Sequence, residues 1–179
     1  MIRQISNKER IERLNEILLL YASTYSTGDA AQKIDLEMVR NKLIAMPEEK
    51  LWLYVVEIDD KIVASLWANT LDTQNDIKVK LDNSIETEKC IYISEVFVDK
   101  AFRGKGFGKK LLEQFISDCQ NSNYNDLMIR VWEKNLVAHK LYVDVGFTTI
   151  ESEIQTKKNV TDNNDFEMKK LYLHKKIHT

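Results

Sequence analysis

A mixed α/β fold with one central sheet is predicted by three features of the sequence. Strand-like runs and helical periodicities alternate through the middle of the chain, a hairpin signal precedes them, and two further strand-like runs close it. No linker, internal repeat or low-complexity tract interrupts the 179 residues, and Pro47 is the one proline. A single domain over residues 1–179 is therefore expected, long enough to bury a substantial core.

The elements follow in order. MIRQIS reads as a short first strand. Ser6 and Glu9 have capping-box spacing, and Ile11, Leu14, Ile17 and Leu18 recur at helical intervals, which predicts one helix. A polar break at STGDA (26–30) leads to a second helix around Leu36, Val39, Leu43 and Ile44, ended near Pro47. LWLYVVEIDDKIVASLWANTL (51–71) holds two β-rich runs around a DD pair, an antiparallel hairpin signal. Residues 72–88 are polar and of mixed charge, a loop or an extended hairpin turn. CIYISEVFV (90–98) is β-branched and aromatic, as a strand buried on at least one face is. Leu111, Leu112, Phe115, Ile116 and Cys119 form the apolar stripe of the next helix. NDLMIRVW (125–132) predicts a strand, and KNLVAHKLYVDV (134–145) a short helix that Gly146 closes at its C′ position. FTTIESEI and FEMKKLYLH then predict two antiparallel closing strands.

Composition narrows the function classes. Hydrophobic residues make up 44% and charged residues 30%, as in ordinary soluble globular proteins. A formal net charge of −2 leaves neither a basic footprint for nucleic acid nor a polybasic membrane patch. Apolar runs such as ILLLYA (17–22) fall short of the roughly 20 residues that span a bilayer. The polar opening MIRQISNKER does not read as a secretory signal, so a cytoplasmic, reducing location is the expectation. Cys90 and Cys119 are too few for a disulfide framework and form no metal-type pair; each reads as a small core hydrophobe, and no metal is expected.

The chain has 5 glycines, and three of them stand in FVDKAFRGKGFGKKLLEQF (97–115). A strand, a glycine turn and a helix start together make an anion site, because unpaired amides and the helix dipole point at the turn. Gly104, Gly106 and Gly108 let a phosphate touch bare main chain, and Arg103, Lys105 and Lys109 add positive charge. The plain alternative is a glycine-rich turn with solvated lysines. A Walker A loop would need glycine at 103 and Ser or Thr at 110, where Arg103 and Lys110 stand. A dinucleotide fingerprint would need a third glycine at Lys109 or Leu111.

RGKGFG (103–108) resembles the R/Q-x-x-G-x-G/A signature of the GNAT superfamily of N-acetyltransferases, with Arg103, Gly106 and Gly108 in the defining places. NLVAHKLYVDVGF (135–147) resembles that family's N-x-x-A-x-x-L-Y-x-x-x-G-F pattern, and FEMKKLYL its last strand. The resemblance covers nearly the whole chain in the expected order. It implies a mostly antiparallel sheet of about seven strands flanked by about four helices, splayed between the fourth and fifth strands.

The same resemblance implies acetyl-CoA as co-substrate, its pyrophosphate on residues 103–109, Phe107 included, and its pantetheine arm along the backbone of Val96, Phe97 and Val98. An amine would attack the thioester directly, and the acceptor would be a small molecule or a protein; the charge balance already argues against a nucleic acid or membrane partner. Monomer and homodimer both stay open, since the oligomeric state is not readable from the sequence. Tyr142 is the implied general acid or thiolate stabiliser, against a structural tyrosine. On an ideal helix Asn135, His139 and Tyr142 share one sector, and Val137, Leu141 and Val145 another that faces the core. Asn135 bonds the cofactor arm or caps its helix. Glu95 is the implied base, against an ordinary strand glutamate; its face is open, since alternation says only that it opposes Ser94 and Val96. His139 reads as a surface or packing residue. Tyr21, Tyr25, Trp52 and Trp67 are candidate acceptor walls, and Asp72, Asp76, Asp82, Glu86 and Glu88 a candidate attraction for a cationic amine, against core and solvated-loop roles. A non-catalytic acyl-CoA sensor of the same fold is the alternative function.

Overall fold

The computed structural model describes residues 1–26, 31, 33–74, 77, 84–159, 162 and 164–178. Seven strands form one sheet: β1 (Ile2–Gln4), β2 (Leu51–Ile58), β3 (Lys61–Thr70), β4 (Cys90–Val98), β5 (Asp126–Trp132), β6 (Thr148–Lys158) and β7 (Asp165–Lys176). Their spatial order is β1-β2-β3-β4-β5-β7-β6, and every neighbouring pair is antiparallel except β4 with β5. The expected mixed, mostly antiparallel architecture is what the structure shows.

The helices are α1 (Asn7–Glu12), α2 (Leu14–Tyr25), α3 (Leu36–Ala45), α4 (Phe107–Cys119) and α5 (Leu136–Asp144). The single helix expected from Ser6 onward is broken at Arg13 into α1 and α2. Arg13 leaves the helical line as its guanidinium pairs with Glu57 and donates to the Asp60 carbonyl at 3.1 Å, across the β2–β3 turn. Only half of the capping box forms. Ser6 Oγ accepts from the Glu9 N–H at 3.2 Å, but the Glu9 carboxylate accepts from Arg3 of β1, with Arg3 Nη1 donating at 2.7 Å. The β2–β3 hairpin turns on Asp59 and Asp60, both left-handed at φ 49° and 61°, which matches the strand twist.

Two apolar layers flank the sheet. On one face Leu111, Leu112, Phe115 and Cys119 of α4 pack on Tyr54, Leu66, Ile91 and Leu127, with Tyr142 of α5 beside them. On the other, Leu14, Ile17 and Leu18 of α2 and Leu43 of α3 cover Leu53, Val55, Trp67 and Phe97. Both cysteines are buried as free thiols, and burial pushes each up to about 12, so they sit as neutral hydrophobes. Among the described residues no helix is long and apolar enough to cross a membrane.

Candidate active site

The ladder between β4 and β5 runs from Cys90 opposite Asp126 to Ile93 opposite Ile129 and stops there. β4 continues to Val98 and β5 to Trp132, so the strands part and leave a slot within the sheet. Peptide groups of β4 beyond Ile93 that face β5 have no ladder partner, an arrangement that strand addition could satisfy. A β-bulge stands where the slot opens. Trp67 faces Glu95 and Ala68 faces Ile93, so Ser94 is the extra residue, and its Oγ donates to the Trp67 carbonyl at 3.2 Å. The bulge inverts the alternation along β4. Ile91 and Ile93 pack toward α4, as do Val96 and Val98 beyond it, whereas Phe97 packs toward α2 and Glu95 points the same way. A cleft of about 920 Å³ follows this slot through the sheet.

One end of the cleft is the glycine turn. Gly104 and Gly106 are left-handed at φ 75° and 80°, and a Cβ on either would meet nothing within 4 Å. Bare main chain therefore faces open space. Gly106 is the N-cap of α4, whose first intrahelical bond runs from the Lys110 N–H to the Gly106 carbonyl at 3.0 Å. The N–H groups of residues 107–109 precede that bond and have no acceptor within the helix. This donor set, with the helix dipole behind it, fits a diphosphate. Gly108 serves differently, because a Cβ there would lie 3.5 Å from Leu141 Cδ2 and 3.8 Å from Val98 Cγ2. These are ordinary van der Waals distances, so Gly108 marks where α4 faces α5 and β4 rather than open space. Arg103 is tied back through Nε to the Val98 carbonyl at 3.1 Å, and Phe107 packs beneath the helix. Arg103 and Lys109 line the cleft. Lys105 does not: its Nζ sits over the Phe102 ring, 4.7 Å from the centroid, which turns its charge aside.

At the middle, Tyr142 and Glu95 arrive from opposite faces of the sheet. Tyr142 is 6% exposed, lines the cleft and packs beside Phe147. The expected sectors of α5 are corrected. Ala138, Leu141, Tyr142 and Val145, spaced i, i+3, i+4, i+7, meet the core, and Val137 is 84% exposed. The helix rests on β5 by this stripe, so Tyr142 both packs and reaches the slot. His139 turns away to Thr149 Oγ1 at 3.3 Å and lies off the cleft. Asn135 lines the cleft rim and also caps α5, its Oδ1 accepting from the Ala138 N–H at 3.2 Å. Burial first, and then the Glu95 charge, hold the Tyr142 hydroxyl protonated well above the usual phenol range.

Glu95 accepts from the Tyr25 hydroxyl at 2.6 Å and lies 3.4 Å from that of Tyr21. Burial pushes its pKa above the ordinary carboxylate value, against the Tyr25 hydrogen bond and the charges of Arg130 and Lys170, which pull it down. Tyr21 and Tyr25 do wall the cleft. Trp67 lies beneath, stacked on Tyr21 at 5.0 Å with its Nε1 donating to Ser65 Oγ, so it is core. Trp52 packs edge-on against Tyr124 and does not reach the cleft, which corrects its candidacy. So does the acidic loop. Asp72 pairs with Lys50 at 2.7 Å and Glu86 with Lys89 at 3.2 Å, Glu88 is exposed, and none of these lines the cleft; Asp76 and Asp82 lie outside the described residues.

Residues 13–147 match the family model described as Acetyltransferase (GNAT) family. The chain belongs to the GNAT family. It is 42% identical over 53 residues to the [Ribosomal protein bS18]-alanine N-acetyltransferase of Haemophilus ducreyi, a segment that covers 30% of this chain and 37% of that relative's length. It superposes on the N-acetyltransferase of Staphylococcus aureus Mu50 with a TM-score of 0.74 at 16% identity, over 99% of this chain and 98% of that one. A structure of yncA from Salmonella typhimurium, solved with its cofactor acetyl-CoA, superposes with a TM-score of 0.72 at 15% identity, over 100% of this chain and 94% of that one. At such identities the structural likeness speaks for the fold.

The sequence reading of this GNAT chain missed one group of residues in the cleft, Arg130, Lys157 and Lys170, which come from β5, β6 and β7. Strand alternation places them on the Glu95 side, but only register brings them together: Trp132 faces Lys170, and Glu153 faces Lys170 from the other neighbour. The one available signal was the presence of basic residues on β5 and on the closing strands, where they come in adjacent pairs such as Lys157–Lys158 and Lys169–Lys170.

Proposed function

We propose that this chain is an acetyl-CoA-dependent N-acetyltransferase that acts on a primary amine by direct attack. The observation that carries it is the continuous cleft, with amide-lined glycines at one end and Tyr142 and Glu95 facing each other across the slot. Residues 107–109, through their N–H groups, and the side chains of Arg103 and Lys109 hold the diphosphate of the co-substrate. Main chain at residues 96–98 pairs with the pantetheine arm as an added strand, while the Phe97 side chain stays packed on Trp67, 5.1 Å away. The bound thioester supplies an activated acetyl group.

An alkyl ammonium, with a pKa of about 10.4, must lose a proton before it attacks. Glu95 takes that proton: it is held as an anion by the Tyr25 hydroxyl, and burial raises its basicity. Tyr142 gives its proton to the departing thiolate sulfur; its hydroxyl makes no hydrogen bond to any described residue and stays protonated at neutral pH. Glu95 thus takes one proton on the α2 side and Tyr142 delivers another on the α5 side as the C–S bond breaks; the proton left on the nitrogen of the new C–N bond passes to water, and water reprotonates Tyr142. The seven strands sharing one sheet support the reading of residues 1–179 as one domain.

The test is thiol release from acetyl-CoA across a panel of amines. Amine-dependent release is expected. Acetyl-CoA bound tightly, with no thiol released by any amine, would turn the reading to a sensor.

A further inference from the structure

We infer that the amine acceptor carries an anionic group, of carboxylate type, which the side chains of β5–β7 hold while the amine meets Glu95. The inference rests on the acetyltransferase reading and names the substrate class for the same cleft. Its basis is the charge of the walls. Glu95 is the one acidic side chain among the described residues that line the cleft, against Arg103, Lys109, Arg130, Lys134, Lys157 and Lys170. Arg103 and Lys109 belong to the turn, and Lys134 sits over the Trp132 ring, 5.8 Å from its centroid. The remaining three basic residues stand on the acceptor side.

Glu153, behind that wall, pairs with Arg130 and makes no direct contact with the Lys170 ammonium. Its Oε1 already accepts from the Tyr172 hydroxyl at 2.6 Å, from Arg130 Nη1 at 3.4 Å and from Gln155 Nε2. The Lys170 ammonium, on a residue flanked in register by Trp132 and Glu153, makes no hydrogen bond or ion pair with any described residue. Burial, with Arg130 and Lys157 as cationic neighbours, pulls its pKa down to about 8, against the charges of Glu95 and Glu153, which pull it up. A lysine so placed is costly to charge until a counter-ion arrives. A simple ammonium, or a polyamine, would enter against these cations and find one carboxylate. An amine with an anion at its other end satisfies both sides: its nitrogen lies by Glu95, and its carboxylate supplies the charge that Lys170 lacks.

The experiment compares each L-amino acid with its own carboxamide as acceptor at saturating acetyl-CoA, together with a diamine, for wild type, Lys170→Met and Lys170→Arg. The carboxamide's amine is less basic and so more often neutral, which biases the comparison against the expected result. We expect at least one amino acid to exceed its amide by about tenfold or more in kcat/KM, mostly through KM. The preference collapses to within about threefold in Lys170→Met and is kept in Lys170→Arg, where the charge remains. Amides or the diamine used as well as the acids, or a preference unmoved by Lys170→Met, would overturn the inference and leave the acetyltransferase reading standing. If no amine is acetylated, that reading fails, and the inference is judged by binding to the CoA-loaded protein. An amino acid that raises the Tm of wild type but not of Lys170→Met supports it, and equal shifts or none overturn it.

Discussion

At the end of the cleft formed by residues 103–109, the lining comes from one contiguous loop, its bare main chain flanked by Arg103 and Lys109; at the other end it is side chains from α2, β4, β5, β6 and β7. The first end gets its shape from two left-handed glycines and an uncapped helix start, features set within a few residues of one another. The second depends on the bulge at Ser94, the ladder register of three strands and a tyrosine pair from a helix about seventy residues earlier in the chain. In the first, a substitution acts through geometry, since a Cβ takes space or strains φ. In the second it acts through charge and proton position, with little change of shape.

This contrast can be broken most forcefully at Gly106. Gly106→Val places a β-branched side chain in the open space over the turn and at a φ of 80°, where such strain costs of order 1–3 kcal/mol. Affinity for acetyl-CoA, measured by calorimetry, should fall about a hundredfold or more, with circular dichroism still native. Normal affinity would contradict a cradle of bare main chain. Tyr142→Phe comes next. Turnover should fall about tenfold or more, while acetyl-CoA affinity changes less than about twofold, because only the hydroxyl is lost. Unchanged turnover would leave Tyr142 a packing residue.

Glu95→Gln should lower turnover by several-fold and, unlike the turn variants, raise stability. The folded pKa of Glu95 lies above its unfolded value, so its contribution to stability is full below the unfolded value and lost as pH rises through the folded one. Wherever Glu95 is ionised, the wild type carries a buried charge that glutamine removes. The Tm of Glu95→Gln should exceed that of wild type at pH 7, and the gap should close as pH falls toward about 4.3. A constant gap would mean that some other change accounts for it.

Smaller effects sharpen the picture at the margins. Asn135→Ala removes the α5 cap and should cost about 1 kcal/mol of stability by chemical denaturation. A larger loss in acetyl-CoA affinity than in stability would show that Asn135 meets the ligand as well. Lys105→Ala should change acetyl-CoA affinity least, less than about twofold, since its ammonium rests on Phe102. Lys109→Ala should weaken binding more and make it less sensitive to salt.

Much of the fold is legible along the chain. Hairpin, glycine turn, the α4 stripe and the closing strands all follow from spacing over fewer than about twenty residues, the range in which periodicity and turn chemistry act. Where the reading failed, a distant partner had intervened. α1 and α2 part at Arg13 because Glu57 and Asp60 claim its side chain, and Glu9 leaves the capping box because Arg3 of β1 is nearer. On α5, an ideal wheel cannot say which stripe lies on β5, and Val137 was assigned to the core in error.

By itself, then, the sequence determined the order of elements, the glycine turn between strand and helix, and the family to which these motifs belong. Such features depend on backbone freedom and local period, which neighbours in the chain decide. Only the tertiary structure decided which way Glu95 points, that Tyr25 holds it, and that three basic residues from separate strands share its wall. One extra residue at Ser94 inverts every side chain after it, and ladder register brings together groups that lie far apart in sequence.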